Sequence, residues 1–199
     1  MDRLSAVSAA AILLLAVVCG ACDAPGSAAP EKQPGRVDAV LARGNKKTWD
    51  DVCDIAPKTP SPVKWPALSS AIPAQSGTKY RWVNVWASWC KPCVEELPLL
   101  NETMGSWREH GQKVALTLVS VDADAASADK FLATRPGLPS STRLQDASDA
   151  PTWLTELGLG AGTSIPVHLV LDAQDKLLCV RAGSIGSRDL EQFQKLLFP

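Results

Sequence analysis

The chain has 199 residues, 46% hydrophobic and 21% charged, which suits one compact domain plus a tail. Its formal net charge of −1 removes the electrostatic case for nucleic-acid binding and for a polybasic membrane surface. In chain order, Arg3, the largely apolar run Leu4 to Val18 and the small-residue stretch Cys19, Gly20, Ala21, Cys22 read as an export signal in residues 1–22. Gly20 and Ala21 directly before Cys22 resemble a bacterial lipobox, although Cys19 stands where such boxes usually have leucine. Cys22 is therefore expected to carry lipid, with an uncleaved membrane anchor and plain secretion as the alternatives. All three place the rest of the chain outside the cytoplasm, in a periplasmic or similar compartment. In a Gram-negative host, Asp23 after Cys22 resembles the signal that retains lipoproteins in the inner membrane. Residues 23–47, rich in Ala, Pro, Gly and charge without periodicity, read as a flexible tether, leaving 48–199 as the folded domain.

Within that domain, Trp82, Val83, Val85 and Trp86 predict a strand over 82–87 that runs straight into Cys90. Val94, Leu97, Leu100, Met104 and Trp107 then recur at helical spacing, Pro92 suits the first turn and Gly111 is a natural stop, so a helix is expected over 91–109. A strand over 114–121, helices over 125–134 and 151–158, and a strand over 166–171 follow. A turn at Asp172 to Asp175 leads into a strand over 176–181 and a last helix over 187–197. Alternating strands and helices that end in a hairpin predict an α/β fold, a mixed sheet with helices on both faces. The glycine-rich stretch Gly158 to Thr163 lacks the lysine of a phosphate loop and is expected to be a mobile connector beside the active site.

The chemistry centres on Cys90, Lys91, Pro92 and Cys93. At the start of a helix, free backbone N–H groups and the helix dipole favour an anion, so Cys90 is placed to be a thiolate, the form that attacks disulfides. Cys93, one turn deeper, is placed to resolve the mixed disulfide. The spacing alone equally fits half of a zinc site, but such a site needs four ligands. The chain offers no second CxxC and no histidine pair, since His110 and His168 are far apart in sequence. A structural zinc site is therefore not expected.

The segment Val83 to Pro98, VNVWASWCKPCVEELP, resembles the active-site region of the TlpA/ResA-like thioredoxin family, exported thiol-disulfide oxidoreductases of bacteria. Trp86, Ala87, Trp89, both cysteines, Glu96 and Pro98 stand in family spacing, Ile165 and Pro166 match the later cis-proline site, and a looser likeness covers 80–199. The resemblance implies a three-layer thioredoxin-like fold with a short added strand near Ser140 to Gln145. It implies a cis Pro166 packed on the dithiol, leaving backbone groups beside it free to pair with an extended substrate. It also assigns an acid-base role to Glu96, three residues after Cys93 and on about the same helical face, while Glu95 points elsewhere. Asn84 stands where ordinary thioredoxins carry a buried aspartate, and an amide cannot accept a proton, which leaves Glu96 as the candidate. Trp89 is expected to offer an apolar surface to substrate peptides, whereas Trp49, Trp65, Trp82, Trp107 and Trp153 read as packing residues.

No organic cofactor is implied. The implied partners are disulfide-bearing substrate proteins, of the cytochrome c maturation or copper-site assembly type, and a membrane electron donor of the thiol-transfer kind, with the protein itself a monomer. Once Cys19, Cys22, Cys90 and Cys93 are assigned, Cys53 and Cys179 remain, and in an oxidising space a bridge between them is expected, with two separate buried thiols as the alternative. Lys91 is expected to favour the thiolate and make the couple more oxidising. The competing reading joins Cys90, Cys93 and His168 as a copper(I) site, since soft thiolates with an imidazole suit that ion.

Overall fold

The computed structural model describes residues 47–199 except Gln75. The export signal, Cys22 and the tether, apart from its last residue, lie outside the described residues.

Strand β1 (Tyr80–Trp86) is built mostly of aromatic and β-branched residues, with Arg81 and Asn84 between them, and is buried over six of its seven positions, the pattern of a central strand covered on both faces. Helix α1 (Lys91–Glu109) follows and returns the chain to β2 (Val114–Ser120), which pairs parallel to β1. Helix α2 (Ala125–Ala133) leads to the short strand β3 (Ser141–Arg143), parallel to β2. After helix α3 (Ala150–Glu156), β4 (Val167–Asp172) and β5 (Leu177–Ala182) form an antiparallel hairpin, and α4 (Ser187–Leu197) closes the chain. The sheet order is β3-β2-β1-β4-β5, with β4 antiparallel to β1. The mixed sheet with helices expected from sequence is therefore present, including the short strand within 140–145. The strand expected from 166 begins at Val167, because Pro166 has no N–H to give to a ladder. The hairpin turns at Asp175, whose φ of 55° is tolerated by Asp, while Asp172 Oδ1 accepts from the Gln174 and Lys176 N–H groups. Among the described residues no helix is long and apolar enough to cross a membrane.

Two apolar clusters flank the sheet. Trp82 joins Leu100, Met104 and Trp107 of α1 and Phe193 of α4 in one, its ring meeting that of Phe193 edge-on at 4.7 Å. Val83 and Val85, which alternate with Trp82 and Asn84 and so point to the opposite face, belong with Trp153 and Leu154 of α3 and Ala128 of α2 in the other.

Residues 49–70 carry little periodicity and predict no strand or helix, yet they complete both edges of the sheet. Cys53 is bonded to Cys179, Ile55 bridges Val180 and Pro62 bridges Lys176, all on the β5 side. Further on, Leu68 bridges Leu144, and Ser69 N–H donates to the Arg143 carbonyl at 2.8 Å beside β3. This strap occupies edge hydrogen-bonding groups that would otherwise template pairing with another chain. It also anchors the start of the connector expected to be mobile. Gly158, at φ 95°, lies so close beneath Ile55 that a Cβ would stand 3.3 Å from Ile55 Cδ1. Gly158→Ala is accordingly expected to lower stability by about 1 to 2 kcal/mol through left-handed strain alone. An unchanged denaturant midpoint would contradict that.

Candidate active site

β1 ends at Trp86, and the chain turns through Ala87, Ser88 and Trp89 to place Cys90 as the N-cap of α1. The turn is fixed by Asp122, a buried residue just past the end of β2. Its carboxylate accepts from Ser88 N–H at 2.9 Å, Ser88 Oγ at 2.7 Å and Ser120 Oγ at 2.7 Å. Sequence reasoning missed Asp122. The available signal was an acidic residue beyond the carboxyl end of a buried parallel strand, where α/β sheets build their sites.

Cys90 and Cys93 are joined as a disulfide, and both are buried. The Cys90 sulfur accepts from the Cys93 N–H at 3.3 Å, one of the donors that a helix N-terminus leaves without an internal partner. Pro92 lies in the first turn, where its missing N–H removes no helical bond. Across the site the Ile165–Pro166 bond is cis, and the Ile165 carbonyl oxygen lies 3.7 Å from the Cys90 sulfur. Trp89, 68% exposed, is the one large hydrophobic side chain left in solvent among the described residues. The Lys91 ammonium is turned outward and stands 3.8 Å from Glu95, itself exposed, so solvent and that carboxylate both screen its charge from the sulfurs.

Glu96, by contrast, is buried. Its Oε1 accepts from Asn84 Nδ2 at 2.8 Å, and its Oε2 accepts from the Ile185 N–H at 3.0 Å, just ahead of α4. Asn84 lies on β1 directly opposite His168 on β4, which brings the imidazole to the same carboxylate: His168 Nε2 is 3.4 Å from Oε1. That approach falls short of a well-directed hydrogen bond. The other ring nitrogen, Nδ1, accepts from Trp82 Nε1 at 3.2 Å. Trp82 packs in the core as its sequence predicts, and its indole N–H is also a polar member of this group.

The structure thus gathers Cys90, Cys93, Glu96 and Pro166 around the amino end of α1. It places the Cys53–Cys179 bridge separately, on the strap, with Cys179 wholly buried. His168 does not join the cysteines. One of its nitrogens faces Trp82 and the other faces Glu96, so it has no lone pair for a metal held by the thiolates, and the copper(I) reading loses its third ligand.

No family model matches the chain. It is similar to thiol-disulfide oxidoreductase ResA of Geobacillus thermodenitrificans, 29% identical over 126 residues, which covers 61% of this chain and 67% of that protein. The ResA of Bacillus thuringiensis subsp. konkukian is 37% identical over 119 residues, 59% of this chain and 63% of the relative. The matched region therefore spans about two thirds or slightly less of these relatives' length. Among solved structures, a thiol:disulfide interchange protein of the thioredoxin family from Chlorobium tepidum TLS superposes with a TM-score of 0.52 at 18% identity, covering 72% of this chain and 100% of the other, a likeness of fold.

Proposed function

We propose, on the premise that this chain is a TlpA/ResA-like member of the thioredoxin-like family, that it is an exported thiol-disulfide oxidoreductase which reduces disulfides in other proteins. The observation that carries this reading is the Cys90 sulfur at the N-cap of α1, accepting the Cys93 N–H with a buried carboxylate one turn beyond. That N–H and the helix dipole stabilise negative charge on Cys90, the first nucleophile.

The Cys90 thiolate attacks one sulfur of the substrate disulfide. A Cys90–substrate bond forms, the substrate S–S bond breaks, and the departing sulfur leaves as a thiolate with the electron pair. Glu96 takes the proton from Cys93, whose thiolate attacks the Cys90 sulfur. The Cys90–Cys93 disulfide closes, the second substrate thiolate is released, and two electrons have moved from the dithiol to the substrate. Protons reach the two product thiolates from Glu96 and from water. The exposed indole of Trp89 gives an unfolded or loop segment of the substrate an apolar surface beside the sulfurs. The Ile165 backbone, next to Cys90, offers it hydrogen-bonding groups.

No organic cofactor enters these steps. An exported reductant must be re-reduced, so a membrane donor of thiol electrons completes the cycle, and lipid on Cys22 with the tether of residues 23–47 would keep the domain near it. Substrates of the cytochrome c maturation or copper-site assembly kind fit the family likeness. The test is the equilibrium reduction potential of the Cys90–Cys93 couple against glutathione and dithiothreitol, followed by tryptophan fluorescence. A value near about −270 mV, that of thioredoxin, is expected. One near about −120 mV would make the protein an oxidant and reverse the proposed direction. A couple that fails to cycle would remove exchange chemistry altogether.

A further inference from the structure

His168 is a wholly buried titratable group that the exchange steps leave unused. An indole N–H can only donate, and Trp82 Nε1 points at His168 Nδ1 from 3.2 Å, so Nδ1 must present its lone pair. Asn84 Nδ2, 3.4 Å from the same nitrogen, is a second donor compatible with that arrangement. A neutral ring then carries its proton on Nε2. This N–H has no well-formed partner, and the carboxylate oxygen Glu96 Oε1 stands 3.4 Å away. A buried donor left unpaired is unfavourable, and a short movement of the Glu96 carboxylate would satisfy it with a charge-assisted bond.

We infer that His168 is a positioning residue for the resolving step: Trp82 holds it as the Nε2–H tautomer, and it in turn orients the Glu96 carboxyl group that receives the Cys93 proton. His168 does not take that proton itself, because Nε2 already bears one and Nδ1 is covered by the indole. The inference rests on the acid-base role of Glu96 proposed above.

Reaction of the reduced protein with 5,5′-dithiobis(2-nitrobenzoate) separates the two steps, because the first thionitrobenzoate released reports attack by Cys90 and the second reports resolution by Cys93. His168→Leu is expected to slow the second release by roughly tenfold or more, the scale of a lost hydrogen bond to a charged group, and to leave the first unchanged. His168→Gln, which carries an amide donor near the Nε2 position, is expected to restore most of the rate. In a Glu96→Gln background His168→Leu is expected to have no further effect. Equal slowing of both releases, or equal slowing in both backgrounds, would make His168 merely structural and overturn the inference. If Glu96→Gln slows the second release while His168→Leu does not, this inference falls and the role of Glu96 stands; if Glu96→Gln has no effect, both fall. Nitrogen-15 spectra of the unsubstituted protein, with only His110 and His168 to distinguish, give an independent reading. An Nε2–H ring at His168 is expected, and an Nδ1–H ring would overturn the inference whatever the variants do.

Discussion

Cys93→Ser is expected to accumulate a covalent adduct with a disulfide-bearing peptide, whereas Cys90→Ser is expected to form none, and each variant should lose at least about a thousandfold in disulfide reduction, the scale of losing a reacting group. The asymmetry follows from position. Cys90 is the residue whose sulfur faces the helix N-terminus and the Ile165 carbonyl, beside the exposed Trp89. Cys93 is wholly buried behind it. With Cys93 replaced, the first attack proceeds and nothing displaces the peptide. With Cys90 replaced, the remaining thiol cannot reach a substrate sulfur. Electrophoresis without reductant and mass measurement of the adduct decide the matter. An adduct on Cys90→Ser and none on Cys93→Ser would reverse the assignment of nucleophile and resolving residue.

The parts of this site that were legible in the sequence are those governed by local periodicity. The passage from Trp82, Val83, Val85 and Trp86 into a helical pattern from Val94 marks the strand-to-helix junction, and residues three apart on α1 necessarily share a face, which places Glu96 beneath Cys93. What surrounds Glu96 was not legible, because it depends on register between strands distant in sequence. Asn84 meets His168 only through the antiparallel pairing of β1 with β4, and Trp82 reaches the same ring from two residues along β1. The Ile185 N–H arrives from the segment before α4. Asp122 is a similar case, since its hold on Ser88 needs β2 aligned beside β1. The strap was opaque for a different reason. Its backbone makes isolated bridges and turns at the sheet edges, so neither a period of two nor one of 3.6 is imposed on its side chains. Apart from Trp49 and Trp65, which read as packing residues, its cysteine was the conspicuous feature, through the count of thiols left without another role.

Removing that bridge by the double substitution Cys53→Ala and Cys179→Ala is expected to lower stability by up to about 5 kcal/mol, because the two residues are 126 apart in sequence and the cross-link denies the unfolded chain the freedom of that long loop. At about 2 to 4 °C per kcal/mol for a domain of this size, the melting temperature should fall by roughly 10 to 20 °C. The folded state should change far less. Without the bridge, the strap still has the Asp54 and Ile55 N–H groups donating to the Val180 carbonyl at 2.9 and 3.1 Å, and the Ala182 N–H donating to Asp54 Oδ2 at 2.7 Å. These contacts hold residues 54 and 55 against β5 on their own, so the potential of the Cys90–Cys93 couple is expected to match that of the unsubstituted protein. Denaturant titration of both proteins without reductant, each with its active-site disulfide intact, isolates the effect. An unchanged midpoint would mean that the cross-link restrains little in the unfolded chain. A large shift in the potential as well would mean that the strap reaches the active site through the sheet, by way of β5 and its neighbour β4, which carries His168.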